Sequence, residues 1–532
     1  MATCGEWLVK LLEAYGVELV FGIPGVHTVE LYRGLPATRI RHITPRHEQG
    51  AGFMADGYAR VSGKPGVCFI VTRPGMTNIL TAMGQAYGDS VPMLVISAVN
   101  PTAHLGMNDG RLHELPSQRS LVAGVSAFSH TLLNPAQLPE VLARAFALFA
   151  AARPRPVHIE IPIDVIAQEV DPQVMVRALP KRPGPTSSDI STAAFLLKSA
   201  KNPLVVLGGG AADAAAAARI LAEGLDAPVI NTVNAKGILP PGHPLHAGEN
   251  IAFPPVHRAI AEADIVLAIG TEFGETEMYP EPKPVEIGGK LIRIDIDPEQ
   301  VARGPIADLP IVADAGATLA ALNAALGFDV SVARTATPGA KRAAAIRTAA
   351  ARCWWPAVTL HQRIADLVLD ALPHAILAGD STEPVYALNQ SYEAPRPRSY
   401  FNSSTGYGTL GYGLPAGIGA KLAAPDRPVV VLIGDGGLQF TIAELASAVE
   451  AEVPLIVLLW NNDGYGEIKN YMLERKIAPI GVDIFTPDFQ TIAHGFGCVS
   501  VRPDNDAALT AALREAASQH RPTVIELRPS AF

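Results

Sequence analysis

Three kinds of run are missing from this 532-residue chain, and each absence removes a class of function. Its four cysteines (Cys4, Cys68, Cys353 and Cys498) make no CxxC pair. That excludes a cysteine zinc site and a disulfide frame, and reads as buried thiols in a reducing compartment. No apolar stretch reaches the roughly 20 residues that cross a bilayer, so no membrane partner is expected. Lys and Arg form no block and the net charge is a mild −9, which argues against nucleic acid as a partner. The opening "MATCGEWLVKLLEAYG" carries acids on an amphipathic helical pattern, unlike a secretory leader. A cytoplasmic globular protein is the expectation. What is plentiful is apolar: 48% of residues against 17% charged, in a chain long enough for two to four cores.

Those apolar residues follow one grammar three times over. Short Val- and Ile-rich runs end in Gly, Pro or Asn and give way to helical patterns, which predicts βαβ units and parallel sheets. The first set is "ELVFGI", "GVCFIVT", "PMLVISA" and "PVHIEIP", with "HEQGAGFMADGYARVSG" as a helix between. The Pro-rich "LPKRPGPTSSD" (179–189) reads as a linker. "NPLVVLGGGAADAAAAARILAE", "APVINT", "ADIVLAIGTEF" and "KLIRIDID" make the second set, fading near 327, and an Ala-rich helical connection covers about 335–355. "AILAGD", "RPVVVLIGDGG", "VPLIVLLWNN" and "PTVIELRP" make the third. The fold class is therefore α/β, with three doubly wound parallel-sheet domains at 1–170, 185–330 and 350–532. Such sheets bind ligands beyond the carboxyl ends of their strands.

One carboxylate stands at such an end. Asp435, in "VVVLIGDGG", is followed 27 residues later by Asn462, after the strand "PLIVLLW". The intervening "LQFTIAELASAVEAEV" has helical spacing, so a crossover brings both residues to one sheet edge. A carboxylate, an amide and a backbone carbonyl make a hard oxygen site suited to Mg²⁺, whose shell water and phosphate oxygens complete. Flanking glycines admit a phosphate to the backbone, and the following helix start favours its charge. GDG alone is also a common tight turn; the pairing with Asn462 gives it weight.

These motifs resemble the thiamine-diphosphate-dependent enzymes of the acetolactate synthase/2-oxo-acid decarboxylase family. "GDGGLQFTIAEL…NNDGYG", "FGIPG" (21–25), "PRHEQGAGFMADGYAR" (45–60) and "STGYGTLGYGLPAGIGA" (404–420) occur in the family's order along the whole chain. The resemblance implies a pyrimidine-binding, a central and a diphosphate-binding domain. It also implies a homodimer or homotetramer with active sites between subunits. Asp435, Asn462 and the Gly464 carbonyl would hold Mg²⁺, and Gly434, Gly436, Gly437 and Tyr465 would line the bound thiamine diphosphate. Gly408 and Leu410 would bend the cofactor, Leu410 as a wedge between its rings; a plain core role is its alternative. Glu48 would bond the pyrimidine nitrogen and drive formation of a C2 ylid, which attacks a 2-oxo acid and passes through an enamine on loss of CO₂. Without the resemblance, Glu48 would read as an exposed helix residue or a cap.

For the substrate, "FGIPGVHTVELYRGL", "GRLHELPSQRSLVAGVSAFSHTLL" and "GTEFGETE" resemble the family's 5-guanidino-2-oxopentanoate decarboxylases. A guanidinium calls for carboxylates in a fork. Asp109, Glu114, Glu272, Glu275 and Glu277 are candidates, with solvated loop acids as the alternative, and Gln118 lies in the same stretch. His27 and His113 are candidate catalytic donors to the substrate carboxylate or intermediate. Ile468 occupies the position of a glutamate in simple pyruvate decarboxylases, with Glu467 one place earlier. Arg73 in "TRPGMTN" replaces a family glycine and would add a cation near the cofactor. The central "LVVLGGG" lacks GxGxxG spacing, and "AIGTEFGETEMYPEPKP" lacks the "RFDDR"-like run of flavin-binding synthases, so FAD is not expected. Three readings stand: a decarboxylase of a cationic 2-oxo acid, an acetolactate synthase-like carboligase, and a non-catalytic relative.

Overall fold

A computed structural model describes residues 1–249, 251–275, 285–330 and 335–532. It contains three six-stranded sheets and a two-stranded antiparallel pair, Ala2–Thr3 with Glu169–Val170. The chain divides into two compact units. One comprises Met1–Pro180, Ala375–Thr382 and Asn402–Phe532; the other comprises Lys181–His374 and Glu383–Phe401.

The first unit holds two of the large sheets. In one, the strand order is Arg41–Ile43, Leu19–Gly22, Gly66–Ile70, Met93–Val99, Val157–Pro162, Phe128–Thr131, all parallel. In the other, the first unit contributes Ile376–Gly379, Val429–Gly434, Ile456–Trp460, Thr523–Leu527 and Val499–Val501, in that order and all parallel. The central strands are buried along their whole length, which is why they read as unbroken apolar runs. Two helices in this unit, Glu48–Ser62 and Gly413–Ala423, pack almost backbone to backbone. A β-carbon at Gly57 would strike the Ala416 carbonyl, and one at Gly419 the Met54 carbonyl. Phe53 and Met54 are fully buried in the same helix and each contribute about 1.5–3 kcal/mol of transfer free energy. Such packing leaves the start of the Glu48 helix little freedom to shift.

The second unit has one sheet, ordered His246–Gly248, Val229–Asn231, Pro203–Leu207, Ile265–Ile269, Lys290–Asp295, Leu309–Val312. The strand order reverses beside Pro203–Leu207, where such sheets often take nucleotides. Here the Gly208 amide donates to the Ile269 carbonyl (2.8 Å) and the Gly210 amide to the Gly270 carbonyl (3.1 Å). The glycines let two loops close on each other, and these amides are spent within the protein. Glu272 and Glu275 are exposed on the loop that follows. Glu277 lies outside the described residues.

Beneath that sheet's edge is a buried charge cluster. The Lys236 ammonium donates to Glu249 Oε2 and to the Tyr392 carbonyl, both at 2.9 Å. His246 stands 2.9 Å from Glu249 and 3.3 Å from Glu393. Burial works against charge on His246, but Glu249 and then Glu393 outweigh it and push its pKa up to about 9. No helix among the described residues is long and apolar enough to cross a membrane.

Candidate active site

The strand Val429–Gly434 delivers Asp435 as the first residue of a helix, and Ile456–Trp460, its parallel neighbour, delivers Asn461–Gly464 to the same edge. Asp435 is almost fully buried, and burial raises its pKa against the pull of backbone amides led by Gly464. The Gly464 amide donates to Asp435 Oδ2 at 2.8 Å. The Asn462 amide lies 3.0 Å from the Gly464 carbonyl oxygen and 3.1 Å from Asp435 Oδ1. With its nitrogen inward, that amide donates to both. With its oxygen inward, three acceptors meet, an arrangement that a cation satisfies. An octahedron with ~2.1 Å metal–oxygen bonds has edges of ~3 Å, and both separations from Asn462 have that length. The donor set fits the metal. Among the described residues no cluster of three His, Cys, Asp or Glu side chains could hold a metal, so this trio of carboxylate, amide and carbonyl is the candidate.

Around it the turn is shaped for close approach. The Tyr465 ring lies against Gly436, where a β-carbon would be 2.6 Å away. Asp463 adopts φ +62° and its carboxylate pairs with Arg528 at 2.7 Å. Fully buried Glu526 accepts from Asn461 at 2.7 Å, which fixes the residue next to Asn462. Ile468 lies exposed on the helix Gly466–Glu474.

Asp380, at the end of Ile376–Gly379, was not singled out by sequence. It is fully buried and accepts from the Ser381 and Gly411 amides, both at 2.8 Å. A β-carbon on Gly437 would sit 2.7 Å from its carboxylate. Burial pushes its pKa up to about 6 although several amides oppose this. One carboxylate thus braces both the Asp435 turn and the stretch holding Gly408 and Leu410. Gly408 is exposed with φ +77°, and Leu410 is half-buried, so its side chain is not core.

A second group gathers at the carboxyl edge of the first sheet. Glu48 opens its helix, is buried, and accepts a 2.9 Å bond on Oε2 from the Asn78 amide. The rings of His27 and His113 stand edge to face at 4.9 Å. Burial, and secondarily His113, lowers the His27 pKa, and its Nδ1 is buried without a partner. His113 reaches this position from a left-handed backbone, φ +57°.

The remaining candidates have other partners. Glu114 is buried and accepts from the amides of Asp109, Gly110 and Arg111 at 3.2, 2.8 and 3.1 Å, pinning its own loop. Exposed Asp109 meets Arg111 at 3.3 Å and His104 at 3.2 Å. Gln118 is buried; its amide nitrogen reaches Ser97, the Ala98 carbonyl and Glu160, and its oxygen accepts from the Arg73 amide at 3.0 Å. Arg73 itself is exposed, at φ +59°, just before the helix Pro74–Gly88. Among the described residues no hydrogen bond or ion pair joins Glu48 to the Asp435 group.

Parallel α/β sheets, a carboxylate–amide–carbonyl trio beside a glycine turn and a buried glutamate at the start of a second domain's helix are the features of a thiamine-diphosphate enzyme, and the chain belongs to the thiamine pyrophosphate enzyme family. Residues 2–121, 190–322 and 380–527 match its N-terminal TPP-binding, central and C-terminal TPP-binding domains. Among individual proteins, it is similar to a probable 2-ketoarginine decarboxylase, AruI, of Pseudomonas aeruginosa. The two are 49% identical over 99% of this chain and 94% of that one. It is 32% identical to the large subunit of acetolactate synthase isozyme 1 of Escherichia coli, over 99% and 94% of the two chains. An acetolactate synthase large subunit of Corynebacterium glutamicum is also 32% identical, over 98% and 86%.

Proposed function

We propose that this protein is a thiamine-diphosphate- and Mg²⁺-dependent decarboxylase of 5-guanidino-2-oxopentanoate, that is, 2-ketoarginine. The observation that carries the substrate is the 49% identity to a probable 2-ketoarginine decarboxylase across nearly both chains. The Asp435–Asn462–Gly464 triangle supports the metal.

Asp435, Asn462 and the Gly464 carbonyl hold Mg²⁺ and, through it, the diphosphate; the amides of the glycine turn neutralise further charge. Bound thiamine diphosphate supplies a carbon nucleophile and an electron sink for loss of CO₂. Gly408 and Leu410 set the bend of the bound cofactor, with Asp380 bracing their turn. Glu48 moves the proton that activates it. With the His27–His113 pair at the same sheet edge as Glu48, a neutral His27 Nδ1 would orient the 2-oxo acid or take part in returning the proton that completes the aldehyde. Glu114 shapes the His113 loop and does not grip the guanidinium, since three amides already occupy its carboxylate.

Glu48 and Asp435 serve one cofactor across two copies of the chain. The helix Gly466–Glu474 has no buried residue, yet Ile468, Tyr471 and Leu473 on it are each more than half exposed, and Ile477, Ile480 and Phe485 follow. An exposed helix with this much apolar surface supports a self-association contact. We therefore propose a homodimer as the minimal unit, with a homotetramer as its doubled form.

A carboligase is the second reading, favoured by the acetolactate synthase relatives and by Arg73, an exposed cation able to take a carboxylate-bearing acceptor. The deciding experiment measures CO₂ release and product with 5-guanidino-2-oxopentanoate and with pyruvate. Faster release from the former, with 4-guanidinobutanal as product, is expected. Equal or faster turnover of pyruvate with acetolactate as product overturns the decarboxylase reading.

A further inference from the structure

Glu48 has two carboxyl oxygens in different surroundings. Oε2 accepts the Asn78 amide at 2.9 Å. Oε1 has no donor within the protein among the described residues, and faces Gly75, where a β-carbon would come within 3.2 Å of it. Asn78 lies one turn into the helix Pro74–Gly88, and Gly75 lies in its first turn. That helix start is held from behind: buried Gln118 accepts the Arg73 amide and anchors to Ser97, Ala98 and Glu160. Burial raises the Glu160 pKa against the pull of Thr131, Gln118 and Arg119, and burial pushes His158, bonded to Ser97 and Ser129, down to about 3. This is a scaffold of buried hydrogen-bonding groups behind one loop.

We infer that Asn78 is a positioning residue that makes the two Glu48 oxygens inequivalent, reserving Oε1 for proton exchange with the cofactor. The inference rests on Glu48 acting as the proton carrier. An oxygen that accepts an N–H along its lone pair cannot hold a proton in that direction, since the donor hydrogen occupies it. One of the two lone-pair sites of Oε2 is thereby taken, while both sites of Oε1 stay open, which biases the exchangeable proton toward Oε1. In the exchange the Glu48 Oε1–H bond breaks, its electron pair stays on the carboxylate, and the proton passes to a ring nitrogen that accepts a hydrogen bond from Oε1. With no side chain at Gly75, nothing from that residue crowds Oε1. Without the Asn78 donor the carboxyl rotates freely, and the proton is as often on the wrong oxygen.

Asn78 is half-buried, so its replacement need not disturb the core. The test compares Asn78→Leu, Asn78→Asp and Asn78→Gln with Glu48→Gln in the full-length protein loaded with thiamine diphosphate and Mg²⁺. It reads deuterium exchange of the cofactor's thiazolium C2 hydrogen without substrate, thiamine diphosphate affinity by calorimetry, and melting temperature. Asn78→Leu is expected to slow exchange roughly ten- to a hundred-fold, the size of a hydrogen bond to a charged group, with affinity changed less than about threefold. Asn78→Asp should slow it further, because two carboxyls then face each other. Asn78→Gln, with the amide restored on a longer arm, should recover most of the rate. Unchanged exchange in Asn78→Leu, or slowing that merely tracks lost affinity and a lower melting temperature, overturns the inference. If Glu48→Gln itself exchanges normally, the underlying role of Glu48 fails instead, and the two failures are told apart.

Discussion

Asp435 and Glu48 are both carboxylates on buried helix starts, yet their surroundings suit opposite tasks. Asp435 faces an amide and a carbonyl, a set that gathers a cation. Glu48 keeps one oxygen without a protein donor. Asp435→Asn should therefore reduce activity by roughly a hundredfold or more at limiting Mg²⁺, with partial recovery at high Mg²⁺, read as activity against metal concentration. Glu48→Gln should lose roughly 10²–10⁴-fold in kcat while still binding thiamine diphosphate, a dissociation seen by pairing calorimetry with turnover. Full activity in Glu48→Gln would remove it from the chemistry. The two residues differ in how far sequence could describe them. Asp435 and Asn462 sit on successive strands at crossover spacing, so their meeting was legible from the chain alone. Asp380 was not: its partners Gly411 and Tyr412 lie some thirty residues on and reach it only through the fold. Asn78, 30 residues from Glu48, was hidden for the same reason.

At the scale of elements, alternating apolar runs and glycine breaks announced all three parallel sheets, because buried parallel strands cannot help being apolar throughout. Loops resisted the same reading. "GRLHEL" offered its acids to a guanidinium, whereas the folded loop turns Glu114 inward onto three amides; no residue pattern distinguishes a carboxylate aimed at a ligand from one aimed at its own backbone. Glu114→Gln should therefore act as a loop mutation. About 1–2 kcal/mol of local stability is expected to go, visible as faster amide hydrogen exchange over residues 106–114, with the His27–His113 contact loosened. The helix Gly466–Glu474 makes the opposite point, since its apolar residues find no cover within one chain. Ile468→Glu with Tyr471→Glu should shift sedimentation toward monomer and lower activity together; an unchanged oligomer would exclude this helix from the interface.

For the molecule as a whole, the pH range of stability depends on the buried cluster of the second unit. His246 is raised from 6.5 to about 9 in the fold, so its contribution is complete below about pH 6.5 and is lost as pH rises through 9. Glu393 is lowered from 4.5 to about 2, burial opposing and His246 then dominating, so its contribution is present above about 4.5 and is lost as pH falls through 2. Melting temperature should plateau between these limits, and His246→Asn should flatten the alkaline decline. An alkaline decline identical to that of the wild type would show that other groups govern it.

The Lys236 ammonium is capped by a carbonyl 156 residues further along the chain, at Tyr392. As the polypeptide is synthesised, every strand of the second unit's sheet precedes that carbonyl, so this bond is among the last of the unit's contacts that can form. A fragment ending at residue 374 lacks this bond, and a contiguous piece that includes both 181–374 and 383–401 must carry 375–382, a segment of the first unit. The second unit is thus interrupted in sequence by a strand of the first, and neither can be excised as one uninterrupted stretch of chain.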